Sequence, residues 1–465
     1  MKMKATTIDA YKLLHEGALA LARAERQGIR IDVDYCERKS KFLTKKIDWY
    51  TKKLEASNFY RRWGHIYGKK TKISSDQQLA HMLYNVLKIT PPKLTESERG
   101  AADEETLRQL AGQVPEVEMI LEIRKLKKVR DTYLQAFMRE QYDGYIHPFF
   151  NLHTVKTYRS SSDKPNFQNI PKRDKKAKEI TRRALMPRPG HMLIEADFSS
   201  LEVSISACYH KDPVMIKYLN DDSSDMHADM AKQIYMLDKI DKKNIPEHGV
   251  LRQSAKNGFV FPQFYGDYYG NNAMGLCEWM KLPIDHKWKP GEGIGIGGGV
   301  HISDHLMKHG ISNFDSFTEH MKGIEKDFWG NRFKVYNKWR EDWMNMYRKK
   351  GYFQMHTGFI CSGIMGRNEV VNYPVQGSAF HCLLWSFIQM DKIMRKEHWD
   401  TKLVGQIHDS IILDVLPDEL SHVKETLYDV TTKKLPQTWK WIIVPLKIDI
   451  DEYGVDEPWL EKEEV

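Results

Sequence analysis

Residues His191 to Glu202 read HMLIEADFSSLE, and this stretch governs how the rest of the chain is interpreted. Its first half is an apolar run that ends at the carboxylate of Asp197, and its second half places Ser199 and Glu202 at the spacing of a helix start. The pattern predicts a buried strand that delivers an acid to a strand-helix junction. An acid at that point is either a helix N-cap, which is a common role for Asp, or a metal ligand.

The composition is that of a globular protein with about two to four structural units. Hydrophobic residues make up 41% of the 465 residues, enough for large cores. The sequence has neither a secretion signal nor an apolar run of about 18 residues, so we expect no membrane span and a location in the cytoplasm of a cell or of an infected host. The five cysteines form no CxxC pair, which argues against a structural zinc site and a disulfide framework.

Charge is unevenly distributed, although the net charge is only +8. Glu37 to Lys72 contains twelve Lys or Arg against three acids, and Lys172 to Arg183 contains seven against two. Asp449 to Glu464, in contrast, contains eight acids. One basic patch alone would indicate a solvated helix face, but two patches that flank a candidate metal site favour a track for a polyanion.

The first 140 or so residues are predicted to be mostly helical. An amphipathic segment that opens at Ala18 ends at Gly28, a charged helix then runs to about Lys53, and a second helical block runs from about Pro115 to Gln141. The stretch between the two later helices is rich in turn residues, so these helices are expected to form the arms of a hairpin. An arm with basic faces could grip a duplex.

Strands and turns are expected from Gly144 onward. Asp143-Gly144 is a hairpin signal, and the aromatic stretch from Tyr145 to His153 is predicted to be extended, so we expect the main sheet to begin there. The run Gly291 to Gly299, GEGIGIGGG, is not followed by a lysine-serine pair. It is therefore predicted to be a flexible loop and not a phosphate cradle.

Several motifs resemble those of the family A DNA polymerases, the class of bacterial DNA polymerase I and its phage relatives. TYRSSSDKPNFQNIP resembles the family's TGRLSSxxPNLQNIP, and DFSSLE, which begins at Asp197, is similar to its motif A, DYSQIE. Further along, RQSAKNGFVFPQFYG resembles motif B, NYPVQGSA matches NxPxQGxA, and QIHDS resembles motif C, usually written VHDE. ALARAERQGIRID and PPKLT also resemble the start and tip of the family's thumb, so the resemblance covers nearly the whole chain.

The resemblance implies an α+β fold shaped as a right hand, with a helical thumb, an antiparallel-sheet palm and helical fingers. The expected segments are a thumb with an N-terminal helix at 1–140, the first part of the palm at 141–205, fingers at 206–370 and the second part of the palm at 371–465. The implied reaction is template-directed addition of dNTPs to a primer 3′-hydroxyl.

The implied catalytic residues are Asp197 and Asp409. Asp409 by itself would be a turn residue in a short apolar hairpin, but phosphoryl transfer needs two divalent metals clamping the attacking and leaving oxygens, and hence two carboxylates that meet. The resemblance adds the backbone carbonyl of Phe198 as a ligand. Oxygen ligands and substrate phosphates fit two Mg²⁺, with Mn²⁺ as an alternative.

The implied dNTP site uses cations and one acid. Arg252 and Lys256 are four residues apart, so on a helix they share a face and can reach a triphosphate. His227 resembles the family's phosphate-contacting histidine. Glu202 matches the steric gate that excludes a ribose 2′-hydroxyl; without the resemblance it would be a first-turn acid that the helix dipole favours.

Motif B contains one extra residue, because nine residues separate Lys256 from Gly266 and the usual number is eight. Since Pro262 lacks an N–H and disfavours the helical conformation before it, we expect a kink or π-bulge near Gly258. Counting back from Gly266 places Phe261 and Tyr265 toward the nucleotide, whereas counting forward from Lys256 selects Val260 and Phe264. The first choice is preferred, because an aromatic ring can stack on the nucleotide.

The resemblance assigns a further group to the primer-template, of which Arg159 and Gln376 are the minor-groove contacts. Acceptors occur at every base pair in that groove, so such contacts test geometry without reading sequence. The group is Arg159, Asn166, Gln168, Asn372, Gln376 and His408. The chain also departs from the family pattern, since Ser410 stands where motif C has a second acid and Asp229 replaces a usual threonine.

The expected partners are primer-template DNA and dNTPs, and the chain is expected to be a monomer. No intrinsic 3′-5′ exonuclease is expected, since the acidic run from Asp449 to Glu452 is predicted to be a closing strand; a separate exonuclease or processivity subunit remains compatible. Two alternatives stay open. One is a single-subunit RNA polymerase, which would not need the Glu202 gate, and the other is a catalytically silent DNA-binding clamp, which would not need both acids.

Overall fold

The computed structural model describes residues 5–95, 97–172 and 174–460, and its fold is α+β with the right-hand arrangement of thumb, palm and fingers. Within these ranges eleven strands are numbered in chain order: β1 Ile29–Ile31, β2 Tyr145–Ile146, β3 Phe149–Asn151, β4 Ser161–Asp163, β5 Leu185–Met186, β6 Met192–Phe198, β7 Tyr352–Gln354, β8 Ile360–Ser362, β9 Lys402–Ile407, β10 Ser410–Val415 and β11 Ile448–Glu452.

Helices account for most of the described chain. The α-helices are α1 Thr7–Gln27, α2 Val33–Glu55, α3 Asn58–Tyr67, α4 Asp76–Ala80, α5 Glu104–Leu110, α6 Pro115–Lys127, α7 Gln135–Glu140, α8 Lys175–Arg182, α9 Leu201–His210, α10 Pro213–Asn220, α11 Met226–Tyr235, α12 Glu247–Ala255, α13 Phe261–Tyr265, α14 Tyr269–Met280, α15 Ile302–Lys308, α16 Phe314–Asp327, α17 Lys334–Lys350, α18 Arg367–Lys396, α19 Leu420–Tyr428 and α20 Leu435–Thr438. Five π-helical segments adjoin them, at His81–Val86, Lys128–Leu134, Lys256–Val260, Phe328–Arg332 and Asp429–Lys434, and three 3₁₀ turns lie at Gly68–Lys70, Phe167–Asn169 and Pro417–Glu419.

The palm is built on a four-stranded antiparallel sheet in the order β11-β6-β10-β9. Its central strand β6 is buried at every residue except Asp197, which is half-buried. A strand covered on both faces needs apolar residues at most successive positions, and this explains the apolar run before Asp197, which Glu195 interrupts. The predicted strand and the helix after it, α9, are both present.

The prediction that the main sheet begins at Tyr145 is wrong. The turn at Asp143 and Gly144 is present, with both residues at positive φ, but it leads only into the two-residue strand β2. That strand pairs with β1, and β1 pairs with β5, so they form a separate three-stranded sheet. Later in the aromatic stretch, β3 pairs with β4 in a two-stranded sheet, and the first strand of the four-stranded sheet in chain order is β6, which begins at Met192.

The N-terminal helices agree with the sequence, with one shift. Helix α1 begins at Thr7, well before Ala18, because Thr6 and Asp9 form a capping box, and it ends before Gly28 at φ 65°. This helix packs on α18 and β9 of the palm. Helix α2 packs against α6, and a π-helical segment continues α6 into α7, so the predicted helical block is confirmed.

The glycine-rich run is a loop, as predicted, and contacts within the fold hold part of it in place. Ile296 is only 7% exposed, its amide donates to the Val300 carbonyl at 2.9 Å, and Gly295 forms a β-bridge with His301. Gly297 has φ 99°, in the left-handed region where a side chain would strain the backbone. The glycines thus serve a tight turn anchored by one buried isoleucine.

Among the described residues, no helix combines the length and the apolarity that crossing a membrane requires.

Candidate active site

Asp197 and Asp409 lie at the same end of the palm sheet. Asp197 is the penultimate residue of β6, and Asp409 is in the turn that joins β9 to β10. Asp197 is in register with Ser410, the neighbour of Asp409, and the Phe198 amide donates to the Asp409 carbonyl at 3.1 Å. The structure therefore brings together two acids that are more than 200 residues apart in sequence.

Asp197 does not cap the following helix. The N-cap of α9 is Ser200. One carboxylate oxygen of Asp197, Oδ1, is buried and has no hydrogen-bond partner in the described part of the chain, while Oδ2 lies 2.9 Å from Lys172 Nζ. A buried oxygen without a donor costs free energy unless a cation or donor reaches it. Two neighbouring carboxylates of this kind are a donor set that fits an oxygen-preferring divalent cation.

The two acids perturb each other. Burial and the negative charge of Asp197 raise the pKa of Asp409 to about 6. Burial lowers the pKa of Lys172, but Asp197, Glu195 and Asp409 act in the opposite direction and raise it overall. Lys172 entered the sequence interpretation only as part of a basic patch. Its position directly after the PNFQNIP motif is the signal that could have identified it as a neighbour of the acids.

A buried ion pair lies beneath the acids. Glu195, two residues before Asp197, accepts a hydrogen bond from Arg182 at 2.8 Å, and these side chains are 3% and 2% exposed. Ser410 Oγ lies 3.0 Å from Glu195 Oε1. Sequence interpretation missed this pair, although an acid inside the apolar run MLIEADF is an unusual residue that could have prompted a search for a partner.

Glu202 joins palm and fingers. On the first turn of α9, its Oε1 accepts a hydrogen bond from Arg159 at 3.0 Å and its Oε2 accepts one from the Tyr265 hydroxyl at 2.6 Å. Burial, and then the charge of Glu202, raise the pKa of Tyr265. Three residues that were predicted for separate roles therefore form one hydrogen-bonded group, which fixes the orientation of the Glu202 side chain.

The extra residue of motif B is accommodated in a π-helical turn at Lys256–Val260, between α12 and α13. The predicted π-bulge is present. At Gly258 this turn packs closely against α14, since a Cβ there would lie 2.8 Å from the Leu276 side chain. The wide turn absorbs one residue without breaking the helix, and Pro262 takes a first-turn position of α13, where its missing N–H is tolerated.

The two ways of counting motif B select residues with different surroundings. Val260 is buried in the core, and Phe264 packs in an aromatic cluster, with its ring 5.7 Å from that of Phe328. Phe261, in contrast, lies 5.7 Å from the His227 ring and 5.2 Å below the Lys256 ammonium. Because Tyr265 contacts Glu202, the arrangement matches the count back from Gly266.

Arg252 is held by an acid that the sequence interpretation did not single out. Asp225 accepts a hydrogen bond from Arg252 Nε at 2.6 Å, and Lys242 lies 3.7 Å away. The Asp225 side chain also caps α11 by accepting from the Ala228 amide. One carboxylate thus fixes the start of the helix that carries His227 and orients the neighbouring arginine.

His227 and Lys256 complete the face on which Arg252 lies. Burial, with the charges of Arg252 and Lys256, lowers the pKa of His227 to about 4, so its ring is neutral near pH 7. Burial and Arg252 also lower the pKa of Lys256. His227 Nδ1 is buried and lacks a hydrogen-bond partner within the described residues. The face offers a fork of donors and a point charge to an anion.

The predicted primer-template residues fall into two sets. Gln168 donates to Ser160 Oγ at 2.7 Å and to Gln406 Oε1 at 2.9 Å, and Gln406 donates in turn to the His408 carbonyl. This chain of bonds links the TYRSSSDKPNFQNIP loop to the turn that holds Asp409. Asn166 is exposed and accepts from the Asn169 amide at 3.2 Å, so it stabilises its own turn.

Helix α18 carries the second set, with Asn372 and Gln376 half-buried. Gly377 allows the helix to approach the loop that carries Arg159, since a Cβ there would lie 2.5 Å from the Thr157 carbonyl oxygen. The glycine of the NxPxQGxA pattern is therefore needed for close packing.

A cleft of about 1120 Å³ runs from the thumb to Gln168 and His408 of the palm. Trp49, Lys53 and Lys128 line it on the thumb side, and Lys172 and His408 line it on the palm side. Basic side chains along its length suit a phosphate backbone, and an exposed tryptophan adds an apolar surface.

Comparisons with known proteins agree with this geometry. The model of DNA polymerase family A matches residues 40–292 and 299–459. DNA polymerase I of Aquifex aeolicus (strain VF5) is 27% identical over 446 residues, which cover 94% of this chain and 65% of that protein. The thermostable DNA polymerase I of Thermus filiformis is also 27% identical, over 95% of this chain and 47% of its own length. The chain thus spans about half to two thirds of these curated relatives.

A solved structure supports the fold. The POL domain of Pol1 from M. smegmatis, in complex with DNA primer-template and dNTP, superposes with a TM-score of 0.72 at 21% identity, over 96% of this chain and 69% of that chain. The six residues that separate the two family matches, 293–298, fall within the glycine-rich turn. The family model matches far more than half of the residues of this chain, and the chain therefore belongs to DNA polymerase family A.

Proposed function

We propose that this chain is a DNA-directed DNA polymerase that adds dNTPs to a primer 3′-hydroxyl. The observation that carries the proposal is the meeting of Asp197 and Asp409 at one end of the palm sheet. Glu202 lies on the next helix, and the cations Arg252 and Lys256 lie on the fingers helix. Acids for metals, a surface for a sugar and cations for a triphosphate are the groups that this reaction requires.

The resident metals are proposed to be two Mg²⁺, with Mn²⁺ as an alternative, held by Asp197, Asp409 and the Phe198 carbonyl. When bound, they would activate the primer hydroxyl and stabilise the charge of the leaving pyrophosphate. Oδ1 of Asp197 is buried and accepts no hydrogen bond from the described residues, so a metal ion at this place would satisfy it.

The chain's own residues bind and orient the nucleotide. Arg252 and Lys256 neutralise the triphosphate, and His227, neutral near pH 7, can donate one ring N–H to a phosphate oxygen. Phe261 covers the same face and offers its ring to the nucleotide. Glu202, held by Arg159 and Tyr265, fills the space beside the sugar and so excludes a 2′-hydroxyl.

The primer-template is proposed to lie in the cleft between thumb and palm. Lys53, Lys125 and Lys128 neutralise its backbone from the thumb. Gln376 and Arg159 contact the minor groove next to the reacting end, with Asn166, Gln168, Asn372 and His408 in support. The curated relatives are bacterial, so the proposed setting is the cytoplasm of a bacterial cell or of a phage-infected host.

Primer extension with dNTPs and with NTPs, on wild type and Asp409→Ala, tests this function. Wild type should extend the primer with dNTPs and use NTPs poorly, and Asp409→Ala should extend it with neither kind of nucleotide. Asp418→Ala removes an exposed acid from the turn after β10 and serves as the matched control. Equal use of NTPs by wild type would favour the RNA polymerase alternative, and DNA binding without extension would favour the silent clamp.

A further inference from the structure

Ser410 is buried at the place where the family's motif C carries a second acid. It is 0% exposed, and its Oγ lies 3.0 Å from Glu195 Oε1 and 2.9 Å from the Ile407 carbonyl oxygen. A hydroxyl carries one proton, so Ser410 can donate to one of these two acceptors at a time. The residue after Asp409 is thereby linked directly to a carboxylate of the neighbouring strand.

Glu195 carries that carboxylate on the same side of the sheet as Asp197. It is two residues before Asp197 on β6, and alternate residues of a strand project from the same face. In register, Asp197 lies opposite Ser410 and Glu195 lies opposite Ile412. The contact of Glu195 with Ser410 is therefore a diagonal one, within the reach of a long side chain.

A buried partner orients the Glu195 carboxylate. Arg182 donates to its Oε2 at 2.8 Å, and the guanidinium lies 4.1 Å from the centre of the Trp459 ring. The Tyr453 hydroxyl is 3.4 Å from the same oxygen. Apolar side chains of similar size would commonly give equal stability at such a site, so a buried ion pair calls for another reason.

We propose that Glu195 is a positioning residue for the metal site and supplies, from β6, the carboxylate that the family places directly after the motif C aspartate. Acting through Ser410, it fixes the turn that presents Asp409. The acid has been transposed across the sheet from β10 to β6, with Arg182 as its counter-ion. This inference rests on the proposed function, because it assigns a role toward the metals of that reaction.

The first test uses the serine, because its replacement leaves the ion pair intact. Ser410→Ala removes the hydroxyl, Ser410→Thr retains it, and Ser386→Ala is the control, since Ser386 is equally buried and donates only to the Cys382 carbonyl. Mn²⁺ binding, measured by electron paramagnetic resonance without DNA or nucleotide, should weaken about tenfold in Ser410→Ala. It should stay at the wild-type level in Ser386→Ala and recover in Ser410→Thr. Unchanged Mn²⁺ binding in Ser410→Ala, or an equal loss in Ser386→Ala, would overturn the proposal.

The second test exchanges the two residues. Ser410→Glu alone places a second carboxylate beside Glu195 with only Arg182 to balance both. Glu195→Ser alone leaves Arg182 without its carboxylate partner. Each single variant should therefore weaken Mn²⁺ binding. The double variant restores one acid and one hydroxyl and should bind Mn²⁺ more tightly than either single variant. A double variant whose loss equals the product of the single losses contradicts a transposed acid. Should Glu195→Ser fail to fold, folding and binding by the double variant still support the proposal, and its failure counts against it.

Primer extension separates this inference from the function on which it rests. If wild type does not extend a primer, the proposed function fails, whereas the Mn²⁺ measurements still decide the role of Glu195. If wild type extends and Ser410→Ala behaves like Ser386→Ala in Mn²⁺ binding, only the inference fails.

Discussion

The Tyr265 hydroxyl donates a hydrogen bond to Glu202 Oε2 at 2.6 Å, so the fingers helix reaches the residue that stands beside the proposed sugar site. Glu202→Ala removes both the bulk and the acceptor, and we expect it to admit ribonucleotides. The preference for dNTPs should fall at least tenfold, or about 1.4 kcal/mol. Tyr265→Phe, which keeps the bulk of Glu202, should lose less. Relative incorporation of dNTPs and NTPs measures both effects, and an unaltered preference in Glu202→Ala places the gate elsewhere.

Asp197→Ala and Asp409→Ala are each expected to reduce primer extension by about a thousandfold or more, because each removes a ligand whose metal stabilises the transition state by several kcal/mol. Primer-template binding should be nearly unchanged, since the cleft is lined by other residues. Single-turnover extension and fluorescence anisotropy measure the two quantities. Extension within tenfold of wild type for either variant would refute the assignment of the acids.

Phe261→Ala should raise the KM for dNTP while leaving the fold intact, because the ring covers His227 and Lys256 and stands outside the main aromatic cluster. Phe264→Ala is the matched control, since it removes an equal ring that packs on Phe328 and Trp329. It should instead lower the free energy of unfolding by about 3 kcal/mol. Thermal unfolding and steady-state kinetics distinguish the two, and the reverse pattern would restore the other way of counting motif B.

Divalent metal binding should weaken as the pH falls through about 6, since the pKa of Asp409 is raised to about 6 and a proton then competes with the cation. The raised pKa of Asp409 has the opposite effect on the stability of the metal-free fold. The folded chain holds this proton more tightly than the unfolded chain, whose carboxyl titrates near the ordinary value of 3.8, so stability falls as the pH rises through that interval. Mn²⁺ titrations across this range test the shift, and Asp409→Asn should lose the dependence.

The 465-residue chain is expected to leave a 3′-mismatched primer intact in Mg²⁺ without nucleotides. Its acidic run beginning at Asp449 forms β11, next to β6, where Asp449 accepts a hydrogen bond from Ser199. An acid tied into the edge of the palm sheet is not a separate nuclease centre. Primer shortening that persists after nuclease removal and disappears in Asp449→Ala would show the opposite. Residues 461–465 of the acidic tail lie outside the described residues, as does Arg173 of the second basic patch.

The apolar strand that ends near Asp197 and the apolar hairpin around Asp409 could be predicted from local patterns, whereas the choice of these two acids as metal ligands rested on the family resemblance. Helix geometry and one extra residue likewise left only two ways of counting motif B, one of which selects Phe261 and the other Phe264. The partners of these residues could not be predicted from the sequence. Lys172, Asp225 and the pair of Glu195 with Arg182 owe their contacts to chain segments that meet only in the folded protein.

Two predictions that rested on local composition missed the tertiary contacts of their segments. The stretch after Gly144 has the composition of a strand, but pairing partners are chosen by tertiary structure, and β1 captured β2. The glycine-rich run has the composition of a flexible linker, yet a single buried Ile296 anchors it. In the first case a long-range strand pairing outweighs the local preference, and in the second a buried side chain does.

Arg252 donates to Asp225 through Nε at 2.6 Å, so part of its positive charge is already balanced inside the protein. An anion bound by the terminal guanidinium nitrogens would share the arginine with this carboxylate, whose negative charge opposes that of the anion. We therefore expect the fingers to bind a highly charged anion such as a triphosphate more tightly than inorganic phosphate or pyrophosphate.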